Sequence, residues 1–328
     1  MSELPQYGRH LNPNATMRAV VIDRYGGPEV LRQATVPRPV PTRGQVLVRT
    51  RFVGVNPKDV IVRKGKFKVA TGKKFPLIVG HDIAGEVVEV GAGADLAEGD
   101  RVFGMINDFA GRAYAQFAAV DAQQLAKVPN SIELRVAAAV PLAAQTALQA
   151  LRDDARIEAG QRVLINGASG GVGVFAVQIA KILGAEVTAV CSQRNTDLVT
   201  ELGADRVVDY TQTELVELDA TFDAIFDVFG NYSFDKLKHL LEPRGTYVQT
   251  IPSGRILRDV ARTLLRRKRA KLVLVKSRRD QLDWLRQQID TGSLRVVVDR
   301  SFALEDAAEA HRYMETKRAR GKVVLELG

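Results

Sequence analysis

The segment Arg162–Asn166 (RVLIN) is short and apolar. It runs directly into Gly167-Ala168-Ser169-Gly170-Gly171-Val172-Gly173 and then into an apolar stretch with helical spacing, Val172–Leu183. A buried strand, a glycine turn and a helix in immediate succession open a dinucleotide-binding βαβ unit. Gly170 and Gly171 let the backbone approach a pyrophosphate, and Gly173 lets the helix pack closely on the strand. The helix N-terminus offers free N–H groups and partial positive charge to the phosphates. The spacing is A-x-G-x-x-G, with Ala168 where the first glycine usually falls. A tight packing turn without ligand is the alternative, and the strand–turn–helix setting is what weighs against it.

The rest of the chain fits around that unit. Glu186–Cys191 and Arg206–Asp209 read as further strands, Asp197–Leu202 as a helix, and Phe222–Val228 and Thr246–Ile251 continue the alternation. Strands alternating with helices predict a parallel sheet covered on both faces. The first third differs. Gln45–Asn56 and His81–Gly91 alternate apolar and polar residues at period two, Gly99–Val102 reads as a turn opening a strand, and Ala115–Val120 as another strand. Short strands with glycine turns suggest a small antiparallel barrel. Ile132–Leu151 has helical spacing, and Gly321–Leu327 closes the chain as a strand. A chain of 328 residues is about twice a typical domain. We therefore expect an α/β protein: a β-rich domain (17–137 and 278–328) with a doubly wound parallel-sheet domain (138–277) inserted, after an N-terminal tail (1–16).

The second strand's end selects the dinucleotide. NAD sites place Asp or Glu about 20 residues beyond the turn, where it accepts from the ribose 2′-hydroxyl. This strand instead ends Cys191-Ser192-Gln193-Arg194-Asn195, with no carboxylate. A carboxylate would repel a 2′-phosphate. Ser192, Arg194 and Asn195 can hydrogen-bond one, each charge-assisted bond contributing ~1.5–3 kcal/mol. NADPH is expected over NADH, the alternative being that Arg194 is an ordinary surface residue.

Composition narrows the setting. The only cysteine, Cys191, allows no intrachain disulfide and no multi-cysteine zinc lobe, and reads as a small buried hydrophobe. A reducing compartment, the cytoplasm, is expected, and no apolar run approaches the ~18 residues of a membrane span. The 47 basic and 38 acidic side chains leave +9. Residues 255–279 contain only one acid, Asp259, among many bases, and a second basic cluster runs Arg63, Lys64, Lys66, Lys68, Lys73, Lys74. Such patches can attract nucleic acid, anionic lipid or an acidic carrier. No nucleic-acid motif accompanies them, so a solvated helix face and a basic loop are expected, with neither nucleic acid nor membrane as partner.

Together these motifs resemble the medium-chain dehydrogenase/reductase superfamily, in its zinc-independent quinone oxidoreductase branch. The resemblance runs from Met17 almost to the end. It rests on Met17–Val20, Gly26-Gly27-Pro28-Glu29-Val30-Leu31, Gly54-Val55-Asn56-Pro57-Lys58-Asp59, Pro76, Gly80–Val87, Gly99–Val102, Ala168–Gly173, Ala310-His311 and Gly321–Val324. It implies a GroES-like catalytic domain around a Rossmann domain, with coenzyme in the cleft between them. It further implies that Thr146 lies near the nicotinamide ribose and carboxamide, that Tyr210 flanks the adenine end, and that Phe229 and Gly230 border the nicotinamide ribose. Ser169, Gly170, Gly171, Val172 and Gly173 hold the pyrophosphate. Asn56 orients substrate or the nicotinamide ribose, and Asp59 either holds the Asn56 loop or simply caps the following helix. Where the family often has a tyrosine two residues after the Asp59 position, this chain has Ile61, so a proton would come from water or the ribose hydroxyl.

A catalytic zinc needs about three protein ligands plus an open position. Zinc-dependent relatives carry a cysteine at the position of Asn56, a histidine at that of His81 and a third ligand near Ala143–Gln145; here only His81 is present, and no metal is expected. Without a Lewis acid the acceptor must take hydride readily by itself, as a quinone or an α,β-unsaturated carbonyl does. An NADPH-dependent quinone reductase is the leading expectation. A reductase of enones, alkenals or enoyl thioesters is the second, served by the basic Arg63–Lys74 loop near the substrate mouth. A catalytically silent NADPH-binding regulatory protein is the third. His311 reads as structural. Lys271–Lys276 (KLVLVK) reads as an edge strand through which two subunits can join.

Overall fold

The computed structural model describes residues 15–328. The expected tail therefore lies almost wholly outside the described residues. Among the described residues, eight strands precede the dinucleotide-binding unit: β1 (Thr16–Ile22), β2 (Leu31–Pro37), β3 (Gln45–Val55), β4 (Leu77–Ile78), β5 (Asp82–Val90), β6 (Arg101–Met105), β7 (Phe117–Asp121) and β8 (Leu125–Lys127). Six follow as β9 (Arg162–Asn166), β10 (Glu186–Cys191), β11 (Arg206–Asp209), β12 (Phe222–Asp227), β13 (Leu241–Gln249) and β14 (Arg269–Leu272). The last two are β15 (Val298–Ala303) and β16 (Lys322–Glu326).

Strands β9 to β14 form one six-stranded sheet in the order β11-β10-β9-β12-β13-β14, every neighbouring pair parallel. The chain turns from one half of the sheet to the other between β9 and β12. In such sheets ligands bind beyond the carboxyl ends of the strands at that reversal. Val163, Leu164, Ile165, Val187, Ala189 and Phe226 are fully buried, as two covered faces require. The helix Gly173–Ile182 buries eight of its ten residues.

The β-rich domain gathers β15-β16-β3-β5-β6-β8 into one sheet with β7 on β3, and β2-β1-β4 into another. The expected antiparallel pairing holds except between β15 and β16, which are parallel. The helix Ala307–Glu315 between them supplies the crossover that parallel pairing needs. Ile132–Leu151 is not one helix: Pro141 opens a new one, Pro141–Leu148, after the short turn Leu134–Ala137. The edge strand is displaced from Lys271–Lys276 to Arg269–Leu272, because its partner β13 stops at Gln249, opposite Leu272. The helix Arg279–Asp290 buries Leu282, Leu285 and Ile289 in the same cluster as Val163, Ile165 and Phe175. The catalytic-domain strands resume only at Val298.

Candidate active site

The glycine turn is built as a cradle. A Cβ on Gly173 would stand 2.1 Å from the Gly167 carbonyl oxygen, so only glycine lets the helix start this close to β9. On Gly171 it would stand 3.1 Å from the Lys322 side chain. Ser169, Gly170 and Val172 complete the rim, with Val172 capping the helix in αR geometry. Their half-buried helix end meets the requirements of a pyrophosphate. The residues present therefore fit a nicotinamide dinucleotide.

At the end of β10, Ser192, Arg194 and Asn195 occupy one 3-10 turn. Arg194 is exposed. Asn195 is buried and fixed from two sides: its Nδ2 donates to Ser169 Oγ at 2.8 Å, and its Oδ1 accepts from Arg320 Nε at 2.7 Å. Arg320 also donates to the Arg194 carbonyl. Two guanidinium side chains thus belong to the turn where an NAD site carries an acid. Tyr210 is 57% exposed just after β11, its N–H donating to the Cys191 carbonyl. Burial pushes the Cys191 thiol up to about 11, which keeps it an inert hydrophobe.

At the other end, Phe229 and Gly230 form the loop after β12. Asp227 holds it by accepting from the Gly230 N–H (2.8 Å), Asn166 Nδ2 (2.8 Å) and Tyr247 Oη (2.8 Å). Lys317 lies 4.9 Å over the Phe229 ring. Thr146 is buried on the helix Pro141–Leu148, its hydroxyl donating to the Leu142 carbonyl at 2.7 Å.

Asn56 and Asp59, both buried, form with Asp82 and Lys322 a polar floor. Asp59 Oδ2 accepts the Asn56 N–H at 2.8 Å, so capping the helix Pro57–Arg63 and holding the Asn56 loop are one interaction. Asn56 Nδ2 donates to Asp82 Oδ2 at 2.9 Å, and its Oδ1 accepts from Lys322 Nζ. Lys322 also reaches Asp82 at 3.3 Å. Asp82 Oδ1 accepts the Leu142 N–H at 2.7 Å, tying the floor to the start of the next domain's first long helix. Burial pushes the Asp82 carboxyl up, against the opposing pull of Lys322 and Asn56.

Behind the floor runs a buried relay. Asp59 accepts from His81 Nδ1 and, at 3.3 Å, from the Tyr114 hydroxyl; Tyr114 meets His311 Nε2 at 3.1 Å; Arg63 reaches His311 Nδ1 at 3.5 Å and pairs with Glu315. Burial raises the Asp59 carboxyl, but the His81 hydrogen bond and charge outweigh it and hold the group below the usual range. Burial lowers His311 to about 4, so this imidazole is neutral at pH 7. Arg63 therefore does not belong to the basic loop at the surface: it is fully buried, bound to His311 and Glu315. The remaining lysines of that loop are exposed, and Phe67 within it packs edge-on against Phe109 at 6.3 Å, whose carbonyl accepts from His81 Nε2.

A catalytic zinc does not fit this donor set. His81 has both ring nitrogens engaged, by Asp59 and by the Phe109 carbonyl. Gln145 is engaged by Pro141, Ser277 and Arg278. Among the described residues no three His, Cys, Asp or Glu side chains are placed to share a metal ion.

Arg320, Lys322, Asp227 and Tyr114 are site residues that sequence reasoning did not single out. Arg320-Gly321-Lys322 stitches the two domains together at two points, Arg320 on Asn195 and the Gly321 N–H on the Ser169 carbonyl at 3.1 Å, while Lys322 binds Asn56 within the β-rich domain. A usable signal was the basic pair flanking a glycine at the start of the final strand.

Comparison with known proteins agrees with this architecture. Residues 42–130 match the family described as alcohol dehydrogenase GroES-like domain, and residues 202–325 the family described as zinc-binding dehydrogenase. The chain is 32% identical over 323 residues to a chloroplastic quinone-oxidoreductase QR1 of Triphysaria versicolor, covering 94% of this chain and 98% of the relative. It is 34% identical over 321 residues to an NADPH-dependent alkenal/one oxidoreductase of Arabidopsis thaliana chloroplasts, covering 94% of this chain and 79% of the relative. A quinone oxidoreductase from Coxiella burnetii superposes with a TM-score of 0.89 at 28% identity, over 96% of this chain and 100% of that one. With its glycine cradle and two-part β-rich domain, the chain belongs to the medium-chain dehydrogenase/reductase superfamily, in its quinone oxidoreductase branch, and is an oxidoreductase that uses a nicotinamide coenzyme.

Proposed function

We propose that this protein reduces quinones with NADPH by direct hydride transfer, without a catalytic metal. When bound, NADPH supplies the hydride. Ser169, Gly170, Gly171, Val172 and Gly173 hold its pyrophosphate, and the Lys322 ammonium places positive charge beside the same loop. Two of the three ammonium donors are used, on Asn56 and Asp82, which leaves one for a ligand. Ser192, Arg194 and Asn195 receive the 2′-phosphate, with Arg320 joining from the other domain. Tyr210 flanks the adenine; Thr146, Phe229 and Gly230 border the nicotinamide ribose. Asn56 orients the ribose or the substrate, and Asp59 is its positioning residue.

The observation that carries this reading is the Arg320 guanidinium, beside exposed Arg194, at a β10 end that has no carboxylate. A site with no Lewis acid to polarise a simple ketone favours an acceptor that spreads negative charge over its own π-system. Ile61 carries no proton, so protonation of the product falls to water or the ribose hydroxyl. The dimer expected through the sheet edge is also proposed, now through β14, and light scattering tests it. Of the described helices none is long and apolar enough to cross a membrane, and the lone buried thiol suits a reducing compartment such as the cytoplasm.

A second reading, reduction of enones, alkenals or enoyl thioesters, is favoured by one feature: the exposed lysines of the 64–74 loop sit beside the Phe67–Phe109 pair over His81. Oxidation of NADPH and NADH against a naphthoquinone, a short enone and an enoyl-CoA separates the two. Fastest turnover with NADPH and the quinone is expected. Turnover confined to the enone or thioester would replace the first reading by the second.

A further inference from the structure

The helix Gly254–Thr263 packs one side on the sheet through Ile256, Val260 and Thr263; the Thr263 hydroxyl accepts the Ala270 N–H at 2.9 Å. Its other side and the turn that follows present Leu257 (57% exposed), Leu264 (65%) and Leu265 (96%). These leucines contribute nothing to the core beneath them. Among them stand Arg258, Arg266 and Arg267, exposed and without an ion pair among the described residues. The fold uses its other cations here differently: Arg262 pairs with Asp235 and Asp259, and Lys268 donates to the carbonyls of Lys238 and Leu241. The one acid between 254 and 276, Asp259, is 3% exposed, so it brings no negative charge to the outer face.

A second copy of the chain would set arginine against arginine across a two-fold axis. Nucleic acid would satisfy the guanidinium groups and leave the leucines in water. An anionic bilayer answers both, lipid phosphates to the arginines and the acyl boundary to the leucines. We propose that the outer face of Gly254–Thr263 and the turn through Arg267 is a docking surface for an anionic lipid bilayer. This goes beyond the catalytic reading and stands without it.

Co-sedimentation of the full chain tests this, with vesicles of phosphatidylcholine alone and with about 30 mol % phosphatidylglycerol. Binding only to the anionic vesicles is expected, lost at about 1 M salt, where the screening length falls to about 3 Å. Arg266→Glu with Arg267→Glu should weaken binding at least about 25-fold, and Leu264→Ser with Leu265→Ser at least about tenfold. Both double variants should keep the wild-type melting temperature and NADPH oxidation in lipid-free buffer. Equal binding to both vesicle types, or anionic binding untouched by either variant, would overturn the proposal. So would arginine-dependent retention of duplex DNA or RNA with no vesicle binding, or loss of a dimer in the leucine variant.

Discussion

Around Asn56 the side chains of Asp59, His81, Asp82 and Lys322 are buried, and each has a named partner within the protein. Around Arg194 the side chains are partly open, and Asn195 and Arg320 hold each other. The floor is a fixed scaffold whose polar groups hold one another in register, whereas the rim keeps charge available for a ligand. In a low-dielectric interior an unpaired charge is costly, so the floor tolerates little change. At a solvated rim the same change alters what binds and leaves the fold intact. Substitutions on the floor should therefore read out as stability, and those on the rim as coenzyme preference.

Removing Lys322 is the severest test of that division. Lys322→Ala strands the Asp82 carboxylate, and breaking a buried pair in this way costs about 3–5 kcal/mol. Urea unfolding should show that loss, with part of it restored when Asp82→Ala is added. A loss below about 1 kcal/mol would mean that water satisfies the floor.

The relay behind the floor makes a pH prediction of similar size. Unfolded, His311 takes a proton as pH falls through about 6.5; folded, burial delays this to about 4. The unfolded state then binds more protons between those values, so stability is full above about 6.5 and declines on acidification by about 3 kcal/mol until about pH 4. His311→Gln should flatten the unfolding free energy across this window. An unchanged slope would place the acid sensitivity elsewhere.

At the rim the expected effects are smaller and fall on function. Arg194→Ala should lower kcat/KM for NADPH about 10–100-fold, the loss of one charge-assisted bond, and leave NADH nearly unchanged. Arg320→Ala should move the same preference in the same direction, with a smaller effect because Asn195 still keeps its bond to Ser169. If neither variant changes the ratio, the rim does not read the 2′-phosphate.

The same division explains what sequence could say. The β9 strand, glycine cradle and following helix are contiguous, and their local chemistry made them legible. Ser192, Arg194 and Asn195 were legible for the same reason, as the end of the next strand. Lys322 was not, because its partner Asn56 lies 266 positions away and the lysine itself looks like the solvated start of a strand. Arg63 misled by sitting in a run of exposed lysines while its guanidinium turned inward to His311 and Glu315. Tyr114 gives no signal of period or spacing; only the fold brings it to Asp59. Pro141 was visible and under-read, and it divides what looked like one long helix.

The most direct test of the central claim is steady-state oxidation of NADPH by a naphthoquinone, before and after dialysis against a strong chelator, with metal content followed by elemental analysis. Undiminished turnover at sub-stoichiometric metal is the predicted result. Activity that falls with removal of one bound metal per chain, and returns when it is restored, would contradict it.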